Sequence, residues 1–241
     1  RYCGSADWSF DNTKIIYSKN RNYTTEERDL ILYDLITEEK EVLTADGNNN
    51  SAVFIKQNEI IFCNQSNSMH SNIYKMSIDG SNIQLLITNA YNPVPSPNGE
   101  NIVYQSNIEN GSSQIFVFFS DGSDQKQLTT SYSSESWPGW APEGNSDPSW
   151  SPSGNKIVYV SSADGDPEIY IMESNGTSKI KLTSNSLRDE SPGISSCGKF
   201  ILFSSNRNID LKSDIYIMDL NGNNQKSLTN YIGSDIYPNE F

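Results

Sequence analysis

The chain has 241 residues, with 30 acidic side chains against 17 basic ones and a formal net charge of −13. That balance excludes nucleic acid and anionic membrane as partners of a general basic surface, and it leaves neutral or cationic partners. Aromatic residues make up 11% of the chain, which separates it from the aromatic-poor acidic sequences that stay disordered.

The chain begins at Arg1 without Met or an apolar leader, so it reads as a processed mature form or an excised segment. Its longest apolar runs, such as Ile115 to Phe119, fall far below the roughly 20 residues of a membrane-spanning helix. Cys3, Cys63 and Cys197 lie outside any C-x-x-C spacing. They read as buried or incidental, with one disulfide plus one free thiol left open.

From Asp7 onward one pattern recurs five times. A head comes first: Asp7-Trp-Ser-Phe10, a degenerate copy around Val53-Phe-Ile55, then Pro93-Val-Pro-Ser-Pro-Asn-Gly99, Pro148-Ser-Trp-Ser-Pro-Ser-Gly154 and Pro192-Gly-Ile-Ser-Ser-Cys-Gly198. A second strand follows at Lys14–Tyr17, Glu59–Phe62, Asn101–Tyr104, Lys156–Tyr159 and Lys199–Phe203. The third strand copies run Asp29–Leu35, Asn72–Ile78, Gln114–Ser120, Glu168–Ser174 and Asp214–Leu220. In four of them a turn dipeptide comes next, at Asp79-Gly80, Asp121-Gly122, Asn175-Gly176 and Asn221-Gly222, which predicts two-residue hairpins with positive φ. A polar strand then closes on Thr44, Thr88, Thr129, Thr183 or Thr229, giving periods of 44, 41, 54 and 46 residues. The long period contains a near-duplicate head, Pro138-Gly-Trp-Ala-Pro-Glu-Gly144.

Four short strands in such a period match one propeller blade, and no segment carries a sustained 3.6-residue periodicity with caps. The fold class is all-β: a β-propeller of four-stranded antiparallel blades, five repeats in this chain, six if a unit is missing. A sandwich is the alternative, disfavoured because its strands need not repeat in sequence. The whole of 1–241 reads as a single propeller domain.

Together the Pro-x-Trp-Ser-Pro-x-Gly head, the Ile-x-Tyr-x-Ser strand, the Asp-Ile-Tyr-x-Met strand with its Asn/Asp-Gly turn and the closing Leu-Thr resemble the WD40-like repeat of TolB-like β-propellers, from about Asp7 to Thr229. The resemblance implies that the head strand is innermost in each blade and that Asp147, Asp189, Glu190 and Asp235 gather near the mouth of a central channel. It also implies a periplasmic or extracellular protein. It does not fix a function, because one propeller scaffold hosts many activities.

Catalytic constellations are sparse. One histidine, His70, in a predicted loop, cannot build the multi-histidine metal site of the oligogalacturonide-cleaving lyases that this repeat also resembles. Two carboxylates at glycosidase spacing are weighed against solvated loop acids, and the loop acids are favoured. No cofactor is expected; calcium at Asp164-Gly-Asp-Pro-Glu168 is weighed against a simple turn, and the turn is favoured. Asp29, Asp79, Asp121 and Asp214 read as strand-edge and turn residues that support hairpins and solubility. Trp137 and Trp140 in the insertion suit stacking on a sugar or anchoring a peptide. The expected function is a non-catalytic scaffold that binds a protein or peptide partner, cationic in character, through the acidic mouth and the Trp-bearing insertion. The alternative is a carbohydrate-binding or carbohydrate-active propeller.

Overall fold

The computed structural model describes residues 6–21, 27–67, 70–107, 112–130, 144–207 and 213–229. Each repeat folds into one four-stranded antiparallel sheet. The first holds β1 (Ala6–Trp8), β2 (Lys14–Asn20), β3 (Arg28–Asp34) and β4 (Lys40–Val42); the second holds β5 (Asn49–Lys56), β6 (Glu59–Asn67), β7 (His70–Ser77) and β8 (Gln84–Ile87). The third is β9 (Ala90–Pro95), β10 (Asn101–Asn107), β11 (Ser113–Phe119) and β12 (Lys126–Gln127). The fourth comprises β13 (Asn145–Trp150), β14 (Lys156–Ser161), β15 (Glu168–Glu173) and β16 (Ile180–Lys181), and the fifth β17 (Asp189–Ile194), β18 (Phe200–Ser205), β19 (Asp214–Asp219) and β20 (Lys226–Ser227). His70 thus opens a strand, paired with Asn67, where the sequence suggested a loop.

The chain packs as two compact units, residues 1–104 with 118–125 and residues 105–117 with 126–241. In the first unit, Ile16, Leu30 and Leu32 of one sheet pack with Phe54, Ile60, Phe62 and Met76 of the next. In the second, Val158, Val160, Ile169 and Ile171 pack with Ile201, Phe203, Tyr216 and Met218. Strands covered on both faces read as continuous apolar runs rather than alternation, which is why Ile157, Val158, Tyr159 and Val160 are all buried. The tyrosines of the repeat meet across the middle strands: Phe62–Tyr74, Tyr159–Tyr170 and Phe203–Tyr216 each place ring centroids 5.7 Å apart.

The motif residues have specific mechanical roles. In the head, the Ser before the turn accepts the backbone N–H five residues on: Lys14 to Ser9, Asn101 to Ser96, Lys156 to Ser151 and Phe200 to Ser195, at 2.9 to 3.1 Å. The Asn/Asp-Gly turns differ from the expected two-residue hairpins. In each, the glycine N–H bonds back three residues while the strand closes one residue beyond it, as in Gly176 to Glu173 and Glu173 to Thr177. This is a three-residue loop with a left-handed glycine and a bulge. The longer loop is favoured by the preceding Asp or Asn, whose side chain accepts from the residue after the glycine, as Asp79 does from Ser81 and Asn175 from Thr177. Gly222 also lies against the preceding sheet; a Cβ there would sit 2.6 Å from the Leu182 carbonyl oxygen.

The closing Thr turns its hydroxyl onto the backbone amide of the second residue of the third-strand copy. Leu30 donates to Thr44, Ile115 to Thr129, Ile169 to Thr183 and Ile215 to Thr229, at 2.9 to 3.0 Å. Thr183→Val strands the buried Ile169 N–H, a loss of about 1–3 kcal/mol. Urea denaturation is expected to show that loss, while Thr177→Val in an exposed turn shifts stability by under about 0.5 kcal/mol.

Candidate functional site: the carboxylates of the fourth and fifth sheets

Head strands β13 and β17 each carry a bulge, between Ser146 and Ser149 in one and between Glu190 and Gly193 in the other. Each bulge contains a residue in the left-handed region, Asp147 (φ 49°) and Ser191 (φ 53°). Asp tolerates this region better than most side chains because its short polar group can bond locally. Here the backbone N–H of Ser191 acts on the Asp147 carboxylate from the other bulge. Burial pushes the Asp147 carboxyl up to about 6; the charge of Glu190 adds to the rise, and the Ser191 N–H opposes it. Bulges re-aim side chains, and these bring Asp147 and Glu190 into electrostatic contact. Glu190 is one-third exposed and paired with Arg188 at 2.5 Å.

Asp189 points the other way from Glu190, as alternation along a strand requires. It is fully buried, and its Oδ2 accepts from Arg207 Nη2 at 2.6 Å and from Asn185 Nδ2 at 2.8 Å. Its Oδ1 is buried without a hydrogen-bond partner among the described residues, so the Oδ2 contacts carry the ion. Arg207 is held in turn by Ser205 Oγ at 2.8 Å and Gln225 Oε1 at 2.6 Å, with its guanidinium carbon 4.8 Å from the centroid of the Tyr216 ring. The Asn185 amide also approaches Glu168 Oε2 at 3.4 Å.

Glu168, buried at the start of β15, accepts the Thr183 hydroxyl at 2.6 Å and the Asn185 backbone N–H at 2.6 Å. Burial raises its carboxyl above the ordinary range, and the Asp189 charge adds to the rise. The equivalent residues in other sheets act similarly: Gln114 accepts from Thr129 at 2.8 Å and Asn145 at 2.9 Å, Asn72 from the Asn89 N–H at 3.1 Å, and Asp214 from Thr229 at 3.0 Å. Asp29 and Asp214 are therefore not simply solubilising edge charges. Asp29 binds the Gly47 N–H and takes a two-pronged contact from Arg21, at 2.7 and 3.0 Å, and Asp214 is buried. Asp79 and Asp121 do support turns, each accepting from the Ser two residues on.

Of the residues singled out from sequence, Asp147, Asp189 and Glu190 lie on neighbouring head strands; Trp137, Trp140 and Asp235 lie outside the described residues. The sequence reading missed Arg207 and Asn185. A signal for the arginine exists in the repeat itself, since Ser18-Lys-Asn-Arg21 and Ser204-Ser-Asn-Arg207 end equivalent strands. Among the described residues, no group of three His, Cys, Asp or Glu is placed to hold a metal ion. Asp164 Oδ2 accepts from the Tyr170 hydroxyl at 2.7 Å and Lys181 at 3.2 Å. Cys63 is a buried free thiol and Cys197 an exposed one.

Residues 142–239 match the TolB beta propeller domain family, PD40. An uncharacterized protein of Agrobacterium fabrum is 26% identical over 143 residues, 59% of this chain but 44% of that protein, so the matched region spans under half the relative's length. The structure of TolB from Acinetobacter baumannii superposes over 97% of this chain and 55% of that one, with a TM-score of 0.73 and 23% identity. An oligogalacturonate lyase in complex with manganese superposes over 90% and 64%, with a TM-score of 0.69 and 16% identity. The fold is a β-propeller shared with these structures, and residues 142–239 carry the TolB-type match.

Removing the arginine leaves Asp189 as a buried uncompensated charge, a loss of about 3–5 kcal/mol. Arg207→Met, which keeps the apolar stem over the rings, is expected to lose that much in denaturant melts. Adding Asp189→Asn is expected to recover most of it, a coupling that independent sites would not show.

Proposed function

We propose that the chain is a non-catalytic, TolB-like propeller scaffold that binds a protein or peptide partner through Asp147 and Glu190, with Trp137 and Trp140 of the insertion as a second contact. The observation that carries this reading is how differently the carboxylates are engaged. Glu168, Asp189 and Asp214 are buried and held by internal donors. Glu190 stays one-third exposed, and its charge is felt by Asp147. Two neighbouring carboxylates, one of them paired with Arg188, form a locally negative patch, which steers cationic segments and sets on-rate more than affinity. Asp189 contributes indirectly, by fixing Arg207 and the strand that presents Glu190; Asp235, outside the described residues, is a further carboxylate proposed to contact the partner. A periplasmic or extracellular location goes with the TolB-like fold. The carbohydrate-binding or carbohydrate-active alternative draws on Trp137 and Trp140 and on the fold shared with the lyase.

The test is a binding screen on immobilised protein with Arg- and Lys-containing peptides, followed by salt titration of any peptide retained. Association is expected to slow about tenfold between low and high salt, and again in the Asp147→Asn, Glu190→Gln double variant. Binding insensitive to both would contradict the electrostatic reading. Release of reducing sugar from a polysaccharide panel would contradict the non-catalytic one.

A further inference from the structure

A cleft of about 470 Å³ opens between the first and second sheets, walled by Leu43, Phe62, Tyr74 and Ile83 and edged by Asp46, Asn49 and Asn64. Its size and its mixture of apolar wall and few polar groups are those of a small-ligand site. The aromatic wall is preorganised: Phe62 and Tyr74 stack with centroids 5.7 Å apart and ring planes 22° apart. Phe62 is buried, whereas Tyr74 keeps part of its surface exposed.

The polar edge has an uneven hydrogen-bond inventory. Asn64 Nδ2 spends its two protons on Asp46 Oδ2, at 2.8 Å, and on Asn49 Oδ1, at 3.0 Å. Asn49 Nδ2 gives a proton to Asp46 Oδ1. The two amides thus fix the exposed carboxylate in place, with three of their four N–H protons spent. What remains at the edge is chiefly acceptor: the unused lone pairs of Asp46, whose charge Arg21 also feels, and the Asn64 Oδ1, which no donor among the described residues reaches. A carboxylate has about four lone-pair sites, and only two are occupied here. Hydroxyl-rich ligands donate and accept in comparable measure, so they would leave their acceptors unmatched. Arginine and lysine side chains only donate.

We propose that this cleft takes an arginine side chain of a partner segment, the guanidinium against Asp46 and Asn64 and the aliphatic stem along Leu43 and Ile83 beside the Tyr74 ring. Three features converge on that occupant. A guanidinium offers a planar fork of donors to a carboxylate held in a fixed orientation. The ring of Tyr74 attracts a cation placed near its face. The chain's net charge of −13 supplies long-range complementarity. The proposal deepens the protein-binding reading and rests on it only for the source of the arginine. The cleft lies on other sheets than Asp147 and Glu190, so the two can fail separately.

The test is an NMR titration of the isotope-labelled full chain with N-acetyl-arginine methylamide, with the citrulline analogue as an uncharged isostere and methyl glucoside as a neutral polyol. The expected result is saturable shifts of the Asp46, Asn64 and Tyr74 amides with the arginine compound, about tenfold weaker with citrulline and absent with the glucoside. Asp46→Asn is expected to weaken arginine binding at least about fivefold and Tyr74→Leu about threefold. Wild-type-like spectra outside the cleft would confirm that both variants are folded. Equal binding of arginine and citrulline, tighter binding of the glucoside, or no saturable shift would each overturn the proposal. Loss of partner binding in Asp147→Asn, Glu190→Gln with intact arginine binding would leave this cleft standing on its own.

Discussion

A hydrogen bond from a backbone amide near the start of the third strand to the hydroxyl of the Thr that closes the same repeat recurs in four of the five sheets, at 2.9 to 3.0 Å. Its importance lies in where the chain has to go next. After the closing Thr the backbone leaves the outer edge of one sheet and begins the head strand of the following one, and backbone polar groups along such a path need partners if they are buried. An acceptor side chain at the start of the third strand supplies them. Glu168 holds both the Thr183 hydroxyl and the Asn185 backbone, and Gln114 holds Thr129 and Asn145. The Leu-Thr ending and the polar residue before Ile-Tyr are therefore two halves of one device. It ties the connection leading into each head strand to the sheet before it.

Much of this was legible in the sequence because the repeat carries its own alignment. Trp8, Phe54 and Trp150 pair with Ile15, Ile60 and Ile157 at the same register. The degenerate second head therefore still forms a strand: Phe54 fills a Trp position and is buried. The turn geometry was half legible. Asn/Asp-Gly signals a left-handed glycine in either hairpin type, and only the hydrogen bonds beyond it separate a two-residue loop from a three-residue one.

The site was harder to read, because charge in a sequence does not say which way a side chain points. Asp189 and Glu190 are adjacent and chemically alike, yet alternation buries one and leaves the other at the surface. Asp147 sits on a bulge, a local break of alternation that nothing in Ser-Asp-Pro announces. Arg207 escaped notice for a different reason. Its repeat partner Arg21 pairs with an aspartate of the third strand, whereas Arg207 reaches the head strand, so one sequence signal serves two partners.

Within the charge of −13, carboxylates such as Glu168, Asp189 and Asp214 are committed inside the fold, and Asp147 with Glu190 is the pair proposed to meet a partner. That division depends on Asp147 being both deeply set and electrostatically joined to Glu190. Carbon-detected NMR titration of the Asp147 carboxyl tests it most directly. The account predicts a midpoint near 6 that moves down in Glu190→Gln, because removing the neighbouring negative charge makes ionisation easier. A midpoint near the ordinary aspartate value of about 4, or one that ignores the Glu190 substitution, would contradict it.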